Sequence, residues 1–375
     1  MHNGSNSLPR RRALKALAAA AGSLALLGAG AVHAQAAGTP EWQQIVEAAR
    51  KEGKLLLGGP PVPAAREFIM REFAKAYPDI RIEYTPAILP DWPARVEAER
   101  RAGRYLWDVY FWGPGAEIYR LADNKVFDPL LPALHLPEVK DPAVWGGWND
   151  AFTDTGHRYI FSFWSELLSI NYNAKLIPPG EIKGLADLLK PQYAGKIVWW
   201  DPRVGGGGSN YAAMMLAQQG EPALRKLLGD QKPLFVPNNT DIAERMVRGT
   251  HPIGLGSDLV DVLRPYRAAG MQLDIRNVGN TPGAAYEGVG YGTVALFNQA
   301  PNPNAAKVFI NWLLTKETQA ALSAVTGRNS RRTDVPAVSK EKQPLPGVKY
   351  FRVQIQENVL KWQNEASRIA KEVRP

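Results

Sequence analysis

The chain has 375 residues, a formal net charge of +9 and no cysteine. Without thiols it forms no disulfide, thiolate zinc site or iron–sulfur cluster, so its stability must come from core burial, for which a 45% hydrophobic content is ample. Lysine and arginine are scattered rather than gathered into the basic stripe of a nucleic-acid binder, so no nucleic-acid partner is expected.

Residues 10–15 read Arg-Arg-Arg-Ala-Leu-Lys, an Ala/Leu/Gly-rich stretch covers 16–32, and Val32-His33-Ala34 puts small residues where a signal peptidase reads. The apolar stretch is too short and too rich in Ala and Gly for a membrane anchor. Paired arginines resemble a twin-arginine signal, although Ala13 stands where such signals usually carry Phe. Residues 1–34 are therefore expected to be a cleaved leader, with cleavage after Ala34 or Ala36 both open, and the mature protein to be free in the periplasm, having no cysteine for a lipid anchor. Loss of Arg10, Arg11, Arg12 and Lys15 lowers the net charge from +9 to +5. The remaining residues, about 340, exceed what one core usually supports, so two lobes are expected.

Along the mature chain the pattern predicts a helix over 41–52 ended by Gly53, then a strand over 54–57 stopping at Gly58-Gly59-Pro60-Pro61. A helix over 63–77, an alternating strand over 80–84, a charged helix over 92–103 and a strand over 107–112 follow. Strands alternating with helices of this length indicate parallel α/β units, whose ligands sit at the carboxyl ends of the strands. Those ends are 58–61 and 111–115. The second half predicts one long strand over 159–172 interrupted by Trp164-Ser165-Glu166, a helix around 185–189, and a strand over 196–200 entering Asp201-Pro202-Arg203-Val204-Gly205-Gly206-Gly207-Gly208-Ser209-Asn210. Helices over 211–219 and 242–248, a strand over 252–256 ending at Ser257-Asp258, a strand over 288–297, an amphipathic helix over 305–314 and a helical C-terminus over 350–373 complete it.

Three features carry chemistry. Gly206, Gly207 and Gly208, between a strand and a helix, let backbone N–H groups approach an anion, with Arg203 and Ser209 as further donors; a flexible turn with Ser209 as helix cap reads the same residues. Trp112 and Trp164 suit an organic ligand by stacking, although Trp112 also reads as core, as do Trp199, Trp200 and Trp312. Glu166, Asp258 and Glu287 are acids that a cationic group would want, or that serve as hinge hydrogen-bonding groups. His135, His157 and His251 lie in no nucleophile elbow, zinc helix or phosphate loop, so an enzyme is not expected.

The segments Ile45-Val46-Glu47-Ala48-Ala49-Arg50-Lys51-Glu52-Gly53-Lys54, Phe73-Ala74-Lys75-Ala76-Tyr77-Pro78, Gly103-Arg104 before Asp108-Val109, Ile170-Asn171-Tyr172-Asn173-Ala174-Lys175-Leu176, Tyr193-Ala194-Gly195-Lys196-Ile197 and Ala300-Pro301-Asn302-Pro303-Asn304-Ala305-Ala306-Lys307 occur in a telling order. Over nearly all of the mature chain the sequence resembles the ferric-iron, thiamine and polyamine branch of the type II periplasmic binding proteins. The resemblance implies an α/β fold of two lobes, each a mainly parallel sheet flanked by helices, joined by crossing strands near 161–166, 287–291 and 327–331 and closing like a clamp. Lobe 1 would comprise 39–162 and 291–326, lobe 2 the segments 163–290 and 327–375. The expected function is capture of a small organic solute, anionic or zwitterionic, between the lobes for an ABC permease and its cytoplasmic ATPase, by a monomer without cofactor or metal. Alternatives are ferric-iron or thiamine-type binding, or a ligand-sensing subunit of a membrane receptor. The iron binders of this branch use a His after the first strand, a Glu after the Asp-Val strand and paired tyrosines later; here those places hold Gly59-Pro60, Trp112-Gly113 and Leu259-Val260. The expected ligand contacts are completed by Ser165 and Tyr291.

Overall fold

A computed structural model describes residues 39–87, 91–204, 207–256 and 258–375. The expected leader and Gly206 lie outside the described residues. Among the described residues no helix is long and apolar enough to cross a membrane.

The chain opens with the helix Pro40–Glu52, whose Thr39 side chain caps Trp42 N and whose Trp42, Ile45, Val46 and Ala49 face inward. The strands follow as β1 (Lys54–Gly59), β2 (Arg81–Pro86), β3 (Val109–Phe111), β4 (Phe127–Asp128), β5 (Phe161–Ser162), β6 (Glu166–Ser169), β7 (Asn171–Asn173), β8 (Ile197–Trp200), β9 (Leu234–Val236), β10 (Ile253–Leu255), β11 (Ile275–Asn277), β12 (Ala285–Gly288), β13 (Thr293–Phe297) and β14 (Phe351–Arg352). They make three sheets: β2-β1-β3-β13-β4 with β5 on β13, then β11-β7-β10-β8-β9, and a small β14-β12-β6. In the first sheet β1 runs parallel to β2 and β3, with Leu57 opposite Val109, while β13 is antiparallel to β3, β4 and β5. In the second, β8 is parallel to β9 and β10, and β7 is antiparallel to β10 and β11.

Both large sheets are covered on two faces, as parallel strands require. Leu55, Leu57, Phe111 and Val294 of the first sheet pack under Phe68, Phe73 and Phe309, and Tyr110, Ala295 and Phe297 pack on the other face with Trp92 and Trp107. Ile197, Trp199 and Leu255 of the second meet Tyr211, Met214 and Ile369, while Val198 and Val236 meet Ile242 and Met246. Trp199 and Trp312 are buried and Trp200 is half-buried.

Three sequence expectations need correcting. The long strand over 159–172 is three strands, because the chain leaves the first sheet after Ser162 and joins the third at Glu166. The strand over 288–297 is broken by a turn in which Gly290 takes φ +53, a conformation glycine adopts without steric cost. The C-terminal stretch begins with β14, which pairs alongside β12, before turning helical at Gln356. The helix expected around 185–189 is a 3-10 helix, and the helices Ala116–Asp123, Glu221–Leu228, Val260–Ala268 and Lys316–Thr326 add to those read from the sequence.

Candidate functional site

The chain passes between the sheets at residues 163–165, 289–292 and 327–331, and these passages hydrogen-bond to one another. Phe163 N donates to Gly292 O at 2.9 Å, Arg331 N to Phe163 O at 2.8 Å and Ser165 N to Asn329 O at 3.4 Å, and Trp164 bridges Ser330. Gln354 pins the middle passage: its Oε1 accepts from Val289 N at 2.9 Å and Gly290 N at 3.0 Å, and its Nε2 donates to Gly290 O at 3.2 Å.

Against this junction stand the carboxyl ends of β1 and β3. Trp112, following β3, stacks on Tyr291 with ring centroids 5.5 Å apart, and Trp164 meets the same ring edge-on at 4.6 Å. The carbonyl of Trp112 accepts from the Thr293 hydroxyl. Tyr84, with its ring end over Gly59, donates its hydroxyl to Pro60 O at 2.5 Å. Burial pushes the Tyr84 hydroxyl well above its ordinary range, and Arg66 over its ring opposes this only partly. Of the two rings expected to suit an organic ligand, Trp164 is fully buried and Trp112 is half-buried.

The acids named from the sequence lie in two ion networks. Glu166, fully buried at the start of β6, pairs with Arg328. Asp258, just past β10, accepts from Lys342 Nζ and from Val260 N at 3.0 Å, and its carboxylate is 3.9 Å from Arg328. Burial pushes Glu166 above the usual carboxylate range although Arg328 and Lys342 pull against it. For Asp258, burial also pushes up, but Arg328 and Lys342 outweigh it and hold the group low. Glu287 accepts from Ser165 Oγ at 2.8 Å and from Arg331 at 3.2 Å. Its burial is likewise overcome by Arg331 and Arg352, leaving it below the ordinary range.

The glycine-rich segment has a different role from that of a loose loop. Gly207 and Gly208 begin the helix Gly207–Gln219, and Gly208 O accepts from Trp199 Nε1 at 3.0 Å. A Cβ on Gly208 would overlap the Trp200 carbonyl. Gly208→Ala is therefore expected to cost about 1–3 kcal/mol of overpacking, read as a lower urea midpoint at unchanged m-value. Ser209 and Asn210 are buried, and Asn210 donates to the Tyr286 hydroxyl at 3.3 Å. Arg203 turns to Asp201 at 2.7 Å and to the carbonyls of Arg374 and Pro375 at 3.0 and 3.1 Å, which ties it to the C-terminus.

The structure thus brings together Trp112, Trp164, Ser165, Glu166, Asp258, Glu287 and Tyr291, with Gly59 and Pro60 under Tyr84. Arg203 is engaged elsewhere. Sequence reasoning missed Arg328, Arg331, Lys342, Tyr211 and Gln354; the available signal was Arg328 and Arg331 inside a segment already assigned as a crossing, where buried acids need cations. Among the described residues no group of three or more His, Asp or Glu is placed to hold a metal ion.

Two helix-covered mixed sheets joined by crossing segments are the fold of the type II periplasmic binding proteins. The apo ferric ion-binding protein A of Pasteurella haemolytica matches at a TM-score of 0.67 and 14% identity, covering 86% of this chain and 98% of that one. The Trichodesmium protein in complex with iron and citrate matches at 0.65 and 16%, over 86% and 99%, and the ferric binding protein of Campylobacter jejuni at 0.65 and 16%, over 85% and 99%. A Haemophilus influenzae protein described only as uncharacterized is 24% identical over 235 residues, 60% of this chain, which spans 63% of that relative's length. The profile of the bacterial extracellular solute-binding proteins matches residues 69–349. The chain belongs to that family, whose members bind solutes rather than transform them.

Proposed function

We propose that this protein is the periplasmic receptor of an ABC importer and that its cargo is ferric iron accompanied by a small oxygen-rich organic anion, held where Trp112 and Tyr291 stack beside the ends of β1 and β3. Residues 39–162 with 291–326 would form one lobe and 163–290 with 327–375 the other, closing on the cargo so that a permease can read the closed state. The solved relatives named as iron binders support iron as cargo more than they support an iron-free organic solute. The residues at the places implied for the iron ligands, Gly59-Pro60, Trp112-Gly113 and Leu259-Val260, supply neither imidazole nor carboxylate nor phenolate. An accompanying anion would furnish hard oxygen donors instead, and the aromatic pair would contact its organic frame.

The stacked Trp112–Tyr291 pair favours a second reading, an organic anion without iron. A thermal-shift titration separates the two. Ferric iron with citrate is expected to raise Tm by a few degrees, since cargo at 100 times its Kd adds about 2.7 kcal/mol, while citrate alone gives a smaller shift. Equal shifts with and without iron favour the organic anion; a shift with ferric iron alone would require protein ligands other than those named.

A further inference from the structure

The C-terminal passage is fastened to the first sheet's side of the molecule, and a pocket opens beside the fastening. Tyr119 Oη donates to Gln354 O. Gln356, which is buried, is gripped by two segments. Thr155 N donates to its Oε1 at 2.9 Å and its own N donates to Thr153 O at 2.9 Å. Its Nε2 donates to the two carboxylate oxygens of Asp123 at 2.9 and 3.0 Å. Val359 then enters the core around Trp92 and Trp107. Beyond the π-helix Val359–Gln363, Ala366, Ile369 and Ala370 belong to the core of the second sheet. Gln356 thus fixes the chain to one core shortly before it crosses to the other.

The pocket has a volume of about 170 Å³, and Asp123, Lys125, Asp154, Arg158, Tyr159 and Gln356 line it. That is far more than the roughly 10–15 Å³ that one water needs. Its acceptors are committed and its cations are not. Asp154 is buried, with Oδ1 accepting from Tyr159 N and Ile160 N at 3.1 and 2.9 Å and Oδ2 from Arg158 N at 3.0 Å. Asp123 is engaged by Gln356. Among the described residues neither the Lys125 ammonium nor the Arg158 guanidinium has an ion pair or a hydrogen bond; Arg158 lies over the Tyr159 ring at 5.1 Å. Donors without acceptors around one space call for an anion.

We propose that this pocket, whose lining includes neither Trp112 nor Tyr291, is a site for a phosphate group and that its occupant clamps the C-terminal passage. A phosphate group carries close to two negative charges near neutral pH and matches the guanidinium fork with two parallel bonds, leaving a further oxygen for the lysine. Lys125 stands two positions after Asp123, and Arg158 three after Thr155. An anion bridging the two cations therefore draws together the two segments that grip Gln356. Free phosphate and a phosphate monoester present the same chemistry to the pocket, whereas a carboxylate brings a single charge.

The test is a titration of the protein purified from its full-length gene, followed in amide NMR spectra at low ionic strength with inorganic phosphate, glycerol phosphate and acetate. Phosphate is expected to shift the amide signals of residues 123–125 and 154–159 saturably, and to bind about 5-fold more tightly than acetate, the worth of one exposed charge contact. Arg158→Gln and Lys125→Gln are each expected to weaken phosphate by about 5-fold at an unchanged urea midpoint, both side chains being exposed. Lys51→Gln, an exposed lysine that does not line the pocket, should leave phosphate binding as it was. At four times its Kd, phosphate is expected to slow hydrogen exchange at the Thr155 and Gln356 amides about 5-fold, the factor by which binding holds the closed form. Tighter binding of the ester than of the free ion would support the site and name an organic phosphate as its occupant; the reverse would support it with free phosphate. Shifts confined to Trp112 and Tyr291, acetate binding as tightly as phosphate, an unchanged Kd in Arg158→Gln, or equal weakening in Lys51→Gln would overturn the site and leave an adventitious ion only. Unslowed exchange at Thr155 and Gln356 would overturn the clamp. None of these outcomes bears on the receptor reading, which stands on the cargo titration.

Discussion

Arg328→Ala is expected to lower stability by roughly 3–5 kcal/mol, the cost of stripping the partner from a buried charge, which corresponds to a fall in Tm on the order of 5–10 °C for a chain of this size. The size follows from what the guanidinium holds together. It faces Glu166, which has no exposed surface, lies 3.9 Å from Asp258 and covers the Tyr291 ring. Removing it leaves the buried carboxyl of Glu166 and that of Asp258 to share Lys342. Glu166→Leu in the Arg328→Ala background is expected to recover much of the loss, because it removes the stranded carboxylate; a double variant as unstable as the single one would show that Arg328 acts mainly through packing. The two ion networks fix an acid limb. Asp258 and Glu287 both titrate below their ordinary values when folded, so their contribution is complete above about pH 4.3, the unfolded range for carboxylates, and drains as pH falls through the lower folded values. Glu166, raised by burial, acts with the opposite sign and recovers part of that loss on protonation. Chemical denaturation between pH 3 and 6 reads the balance, and Arg328→Ala should flatten the Asp258 share of the slope.

These networks explain which parts of the molecule the sequence discloses. The βα alternation of the first lobe is legible because Gly58-Gly59-Pro60-Pro61 and Gly113-Pro114-Gly115 punctuate short apolar runs, and local turn chemistry survives in the fold. The crossings are implied by the family resemblance and not by the residues alone, since the run over 159–172 reads as one strand interrupted at Trp164-Ser165-Glu166. What the sequence does not disclose is partner choice across long separations. Glu166 and Arg328 are 162 positions apart, and nothing local in Gly327-Arg328-Asn329-Ser330-Arg331-Arg332 tells that Arg328 takes Glu166 while Arg331 takes Glu287. Arg203 illustrates the converse: beside four glycines it reads as an anion contact, yet the chain end folds back and offers it the carbonyls of Arg374 and Pro375. The helix Lys316–Thr326 escaped because its burial comes from Leu322 together with polar residues such as Thr318 and Gln319, and Gln319 is satisfied by donating to Leu313 O at 2.8 Å.

Trp164→Ala is the second large effect, expected at about 3–5 kcal/mol for deleting a fully buried indole, and it has a partner that makes the prediction specific. Gly292 lies flat against the Trp164 ring: a Cβ there would sit 2.5–2.6 Å from ring carbons, and Gly292 O accepts the Phe163 N–H of the neighbouring passage. In the unsubstituted protein Gly292→Ala should therefore cost about 1–3 kcal/mol by overpacking, because the indole is wedged between Phe163 and Tyr291 and has no room to yield. In the Trp164→Ala background the same methyl enters space the indole has left, so its cost should vanish or change sign, giving a coupling of about 1–3 kcal/mol in the double-mutant cycle. Additive costs would mean that the ring and the turn do not press on each other and that the passage over Gly292 is set by Gln354 alone. Coupling of the expected sign would establish Trp164 as a packing element of the crossing.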